Sequence, residues 1–256
     1  MNHDDAIRDQ FTRQAALFAA APELHNDAIH RLMIDAAAPR ASDRMLDVAC
    51  GPGTVVAAFA PHVAQAIGVD ATPAMLAQAR SLTAERALAN VEWQLSSAYA
   101  LPFAPGHFDI VTNRFAFHHL EDIAAAFAEM LRVTAVGGRV VVCDGIASTE
   151  PAKAAAFNAM ERWRDPSTVE FRQLAHLRAL FARAELGALG ETLFRVPYPA
   201  ADLVAASFPA DDDRDGLLAH IEASIADDAL GMLTRREGGK VMVSYAGVVL
   251  WAERRA

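Results

Sequence analysis

Apolar residues recur at helical spacing near the start of the chain. Phe11, Ala15, Phe18 and Ala19 form one such set, and Ile29, Leu32, Met33 and Ala36 form another. Pro22 and Pro39 punctuate this region, and the pattern predicts helix over 4–38. The period then shortens. Apolar runs at 45–49, 66–70, 91–95, 108–113 and 139–144 predict buried strands, and the stretches at 54–60, 72–87 and 122–133 predict the helices between them. Thr72 is placed as an N-cap with Pro73 at the first helical position, and Gly137-Gly138 predicts a turn before the strand at 139–144. Strands alternating with helices predict a parallel sheet covered on both faces.

After Asp144 the rhythm breaks. Residues 148–175 predict a helix followed by an irregular stretch, Arg164-Asp165-Pro166-Ser167. A helix near 174–184 ending at Gly187, a strand at 191–196 and mostly helical chain over 200–236 follow, the last interrupted by Asp211-Asp212-Asp213. Gly238-Gly239 leads into a final strand at 241–252, which predicts an antiparallel hairpin at one sheet edge. The organisation expected is one domain in four parts: a helical lid over 1–40, a ligand-binding core over 41–147, a substrate-cap insertion over 148–175, and C-terminal helices and sheet edge over 176–256.

Composition narrows the class. The chain has 256 residues, 53% of them apolar, enough for a sizeable core. A formal net charge of −9 argues against a general nucleic-acid binder, which needs Lys and Arg to displace counterions. The longest apolar runs are too short to span a bilayer, and the N-terminus lacks the basic and apolar regions of a signal peptide. Two cysteines, Cys50 and Cys143, give no disulfide framework. They fit a reducing, cytoplasmic compartment and are expected as free thiols.

The sharpest chemical signal is Leu46-Asp47-Val48-Ala49-Cys50-Gly51-Pro52-Gly53-Thr54. Gly51 and Gly53 permit a tight turn between a strand and a helix N-terminus, where a parallel sheet binds ligands. A dinucleotide fingerprint would carry a third glycine, but Val56 stands there. Asp47 at the strand end would repel a pyrophosphate, yet it can accept hydrogen bonds from an ammonium group. Asp70 ends the next strand, where an acid accepts from ribose hydroxyls. The pattern points to a sulfonium nucleoside rather than a dinucleotide.

Residues 45–144 resemble the class I S-adenosylmethionine methyltransferases, in particular the ubiquinone/menaquinone-biosynthesis type that acts on small molecules. The matching pieces are LDVACGPG (46–53), GVDATPAML (68–76), ALPF (100–103), FDIVTNRFAFHHLED (108–122) and EMLRVTAVGGRVVVCD (129–144). The resemblance implies a Rossmann-like, seven-stranded, mostly parallel α/β sheet with an antiparallel last strand and helices on both faces. It implies S-adenosyl-L-methionine as cofactor. Asp47, Gly51 and Gly53 would hold its methionine part, Asp70 its ribose, and Ala71 and Met75 would surround the adenine. Ala49, Ala98, Asn113 and Phe18 complete the expected contacts. The family's usual adenine-binding Asp is replaced by Ser97, which can accept the same bond without charge. The family's Lys-Pro-Gly-Gly is here Ala135-Val136-Gly137-Gly138.

Other residues admit two readings each. His118-His119 lacks the further converging ligands of a metal site, so no metal is expected. His118 is a candidate general base, with a pKa suited to the task, or a substrate contact. Phe11, Gln14 and Phe18 belong either to a lid over cofactor and substrate or to the apolar face of a surface helix. Arg164 either pairs with an anionic or phenolate substrate oxygen or is a solvated surface arginine.

The activity expected is methyl transfer to a small-molecule O, N or C nucleophile. The rivals are a cofactor-binding regulatory protein without turnover and a nicotinamide-dependent oxidoreductase, which would lack its third glycine and a Tyr-x-x-x-Lys pair. A nucleic-acid methyltransferase is disfavoured because Asn113-Arg114-Phe115-Ala116 stands where an Asn/Asp-Pro-Pro-Tyr/Phe motif would be. The only macromolecular partner left open is a second copy, as a homodimer.

Overall fold

The structure, a computed structural model, describes residues 10–12, 27–183, 185–209 and 211–256. Gln14 and Phe18, with most of the expected lid, lie outside the described residues. The elements in chain order are α1 (Asp27–Ala37), β1 (Arg44–Val48), α2 (Thr54–Phe59), β2 (Gln65–Asp70), α3 (Pro73–Glu85), β3 (Val91–Leu95), β4 (Phe108–Arg114), α4 (Ile123–Val133) and β5 (Thr134–Gly145). After these come α5 (Pro151–Arg164), α6 (Leu174–Phe181), β6 (Gly190–Pro199), α7 (Ala200–Ala205), α8 (Arg214–Ala223), β7 (Arg235–Glu237) and β8 (Lys240–Glu253).

The sheet runs β3-β2-β1-β4-β5-β8-β6, with β7 paired to β8 off this path. Strands β1 to β5 pair in parallel, and β8 runs antiparallel to both β5 and β6. The expected mostly parallel sheet with an antiparallel last strand is therefore present, and β7 adds a short eighth strand. The antiparallel pairing expected at one sheet edge is present, with β6 rather than the last strand outermost. The last strand lies between β5 and β6, pairing β6 along one side and β5 and β7 along the other.

Two apolar layers cover the sheet. On one face α4 buries Ala126, Phe127, Met130 and Leu131 against β4 and β5. Its start is fixed by Asp122, whose Oδ1 accepts from Ala125 N at 2.9 Å. Burying a side chain such as Phe127 contributes about 1.5–3 kcal/mol. On the other face α1 buries Ile29, Met33 and Ala36 at helical spacing, beside Phe59 of α2. A third cluster lies under α5, α7 and α8 and includes Phe157, Phe171 and Leu217.

Two local expectations are corrected, and a third is met in position only. Gly137-Gly138 is a bulge within β5 rather than a turn before it. The pairing with β4 steps from Phe108↔Thr134 to Ile110↔Arg139, and Gly137 N and Gly138 O bond the backbone of Arg254. Residues 200–236 hold two short helices instead of a mostly helical run. The acidic stretch ends in Asp213, which caps α8 by accepting from Gly216 N at 2.8 Å. Thr72 occupies the N-cap position of α3 but makes no side-chain cap bond; its own N–H donates to Asp70 Oδ1 at 2.8 Å.

Candidate functional site

Strand order reverses between β1 and β4, and a cavity opens at the carboxyl ends of β1, β2 and β4. This is where a parallel α/β sheet leaves room for a ligand, because helices diverge to opposite faces there. The walls include Asp47, Ala49, Gly51, Asp70, Ala71 and Met75, and farther on Ser97 and Ala98. Eight expected cofactor contacts thus meet in one place. Strain collects here too. Ala49 and Phe115, directly after β1 and β4, both take left-handed backbone at φ 54° and 52°, which costs a non-glycine residue on the order of 1 kcal/mol.

Asp70 ties the two loops together. One carboxylate oxygen accepts from Gly51 N and the other from Thr72 N, both at 2.8 Å. Burial pushes the Asp70 pKa up, and these bonds work against that rise. Asp47 is almost fully buried, and desolvation raises its pKa to about 7. A 2.6 Å bond from Thr112 Oγ1 and the nearby Arg114 guanidinium work against that rise.

Arg114 was not foreseen from the sequence. It ends β4, lines the cavity, donates to Thr54 Oγ1 at 3.3 Å and lies 5.0 Å from the Phe115 ring centre. A lone arginine closing an apolar strand beside the glycine loop was the available signal. One cavity therefore presents an acid and a guanidinium together.

Two expected contacts lie elsewhere. Gly53 does not line the cavity. Its φ is +81°, and a Cβ there would sit 2.3 Å from Trp93 Cη2, so the glycine serves turn geometry and close packing against β3. Asn113 does not line the cavity either; its Nδ2 donates to Val48 O at 2.7 Å across β1 and β4.

A second cavity adjoins the first, and Phe11, Phe115 and His119 line both. His118 faces it. Its Nδ1 lies 2.7 Å from Asp144 Oδ1, and its backbone N donates to Asp144 Oδ2 at 3.0 Å. The ring stacks on Phe171 at 4.1 Å and 14°. A carboxylate at Nδ1 selects the Nδ1–H tautomer and leaves Nε2 as the proton-accepting nitrogen.

His119 is held differently. Ser167 gives its single hydroxyl proton to Asp165 at 2.6 Å, so it accepts from His119 Nδ1 at 3.1 Å. Burial first, then the His118 ring, lowers the His119 pKa to about 4 and keeps it neutral. Phe11 packs edge-on to this ring at 4.9 Å.

Arg164 also lines the second cavity and is not a solvated surface residue. Its side chain is 17% exposed, and its Nε and Nη2 bond Glu161 Oε2 at 3.1 and 2.8 Å. The Tyr245 hydroxyl donates to the other oxygen of the same carboxylate. Both cysteines are buried free thiols whose pKa burial pushes up, which removes Cys50 as a nucleophile. Among the described residues no cluster of three metal-ligating side chains occurs.

A methyltransferase-domain family model matches residues 46–142. The crystal structure of YcgJ from Bacillus subtilis superposes with a TM-score of 0.80 at 30% identity, covering 89% of this chain and 98% of that one. The chain belongs to the S-adenosylmethionine-dependent methyltransferase family. In sequence, this methyltransferase is 39% identical over 155 residues to YcgJ of B. subtilis, named an uncharacterized methyltransferase; the match covers 60% of the chain and 61% of the relative. It is 36% identical over 146 residues to a ubiquinone/menaquinone biosynthesis C-methyltransferase, UbiE, of Dinoroseobacter shibae, covering 54% and 58%. These curated relatives are thus matched over about three fifths of their own length. The membership sets aside the nicotinamide-dependent alternative.

Proposed function

We propose that this chain binds S-adenosylmethionine in the first cavity and transfers its methyl group to a small-molecule acceptor in the second. The observation that carries this reading is the adjoining of the two cavities along Phe11, Phe115 and His119. The donor set suits the cofactor. Asp47 matches an ammonium and Arg114 a carboxylate, the two charges of the methionine part. Asp70 has lone pairs left for ribose hydroxyls after its two backbone bonds. Ala71, Met75 and Ala98 supply apolar surface for the adenine, and Ser97 a neutral acceptor for its amino group.

Bound S-adenosylmethionine supplies a methyl group on a cationic sulfur, whose departure needs no acid. The protein's work is then alignment, exclusion of water and removal of the acceptor's proton. Phe115 and Phe11 wall the junction. His118 Nε2 takes the proton, and Asp144 holds the ring in place and stabilises the imidazolium that forms. The acceptor is a small molecule and not a nucleic acid, given the net charge of −9. Among the described residues no helix is long and apolar enough to cross a membrane.

The test is incubation with methyl-labelled cofactor and separate pools of phenols, quinols, amines, thiols and RNA. Label in a small-molecule pool with matching S-adenosylhomocysteine release is expected. Label in RNA alone, or cofactor binding without transfer to any pool, contradicts the reading.

A further inference from the structure

The wall of the second cavity neutralises its own cation. Arg164 is the one Lys or Arg lining it among the described residues. Its guanidinium fork is taken by Glu161, whose side chain is fully buried, and Tyr245 spends its hydroxyl proton on that same carboxylate. Burial and Glu161 push the Tyr245 phenol well above its ordinary pKa, so it stays neutral. Two more carboxylates, Asp165 and Asp202, line the cavity, and His119 is uncharged at neutral pH. An anionic group entering here meets more negative than positive charge, in a space where desolvation strengthens repulsion.

The rest of the wall is built of rings. Tyr198 and Tyr245 meet edge-on at 5.7 Å and 90°, Phe115 and Phe194 at 6.4 Å and 61°, and Phe171 stacks on His118. Flat faces and edges at these spacings favour a planar ring as the guest. We infer that the acceptor bears a planar ring and no phosphate or carboxylate, and that the Glu161–Arg164–Tyr245 triad is the specificity device that rejects anions. This rests on the second cavity being the acceptor site of the proposed methyl transfer.

The test uses the full chain saturated with S-adenosylhomocysteine, titrated calorimetrically with 1-naphthol, 1-naphthyl phosphate and 1-naphthoate. The naphthol is expected to bind at least roughly tenfold more tightly than either anion. Equal or tighter binding of an anion overturns the inference, as does failure of the naphthol to bind. Absence of S-adenosylhomocysteine binding would instead count against the proposed function. Glu161→Gln frees the Arg164 fork and is expected to narrow or reverse the preference. Asp202→Asn, on the exposed rim, is expected to raise naphthyl phosphate affinity severalfold without touching the triad. Unchanged selectivity in Asp202→Asn and in folded Glu161→Gln overturns the charge mechanism.

Discussion

His118 and Asp144 are joined twice: the carboxylate holds the ring through Nδ1 at 2.7 Å and the same residue's backbone N–H at 3.0 Å. One carboxylate oxygen thus fixes the ring and the other fixes the backbone of the turn that carries it. In the proposed mechanism a base fixed in this way would be ready before the acceptor arrives, which is where proton transfer gains its rate. His118→Gln is expected to lower kcat about 100-fold or more while leaving cofactor affinity within about twofold. Near-normal turnover in the variant would remove His118 from the mechanism. Asp144→Asn should lower kcat too while leaving cofactor affinity near that of the parent.

If Asp47 holds the cofactor's ammonium as proposed, cofactor affinity depends on pH. With its pKa near 7 in the free protein, the carboxyl is largely protonated below that value and cannot accept a proton-bearing ammonium's bonds as an anion. Binding at low pH must first expel the proton. Affinity should therefore rise about tenfold per pH unit from about pH 5 to 7 and level off above. Asp47→Asn should bind more weakly and show no such rise when titrated calorimetrically across the same range.

Asp47 and His119, both buried, pull stability in opposite directions as pH changes. Folded Asp47 keeps a proton to about pH 7 that an unfolded Asp loses near 3.8, so its contribution falls as pH rises through that window. Unfolded His119 binds a proton near 6.5, whereas the folded one resists to about 4, so its contribution is lost as pH falls through that window. Relative to the parent, Asp47→Asn should gain stability as pH rises from 4 to 7, and His119→Gln should gain it as pH falls from 6.5 to 4. Urea melts of the three proteins at several pH values check both slopes; parallel curves would contradict the assignments.

Gly53 is a packing glycine. Its left-handed φ of +81° and the 2.3 Å approach of a built Cβ to Trp93 combine two penalties in Gly53→Ala. The substitution should cost about 2–3 kcal/mol of unfolding free energy. Gly51→Ala meets no atom within 4 Å and should cost less, about 1 kcal/mol from its φ of +52° alone. Comparable losses in the two variants would contradict the distinction.

What the sequence revealed follows from distance along the chain. Periodicity and the glycine loop are local, so β1 to β5, the loop and Asp70 were all legible. Ser97 was found because its neighbours Leu101-Pro102-Phe103 fixed the alignment. Bonds that join distant segments left no local trace. Asp144 lies 26 residues from His118, and Tyr245 lies 84 from Glu161. Both pairings had to wait for the fold. Gly137-Gly138 was legible as a backbone irregularity but not as a bulge, because a bulge is defined by the partner strand. The insertion of β8 between β5 and β6 likewise depends on pairing that no single strand's pattern encodes.

The most direct test of the account is calorimetric titration of the full chain with S-adenosylhomocysteine, alongside NADH and the Asp70→Ala variant. Asp70 steadies Gly51 and lines the cavity where the ribose is proposed to sit, so its loss should weaken binding about tenfold or more in a protein that still folds. The account predicts one site for S-adenosylhomocysteine, a clear loss in the variant and no heat from NADH. Binding of NADH, or S-adenosylhomocysteine affinity unchanged by Asp70→Ala, would contradict it.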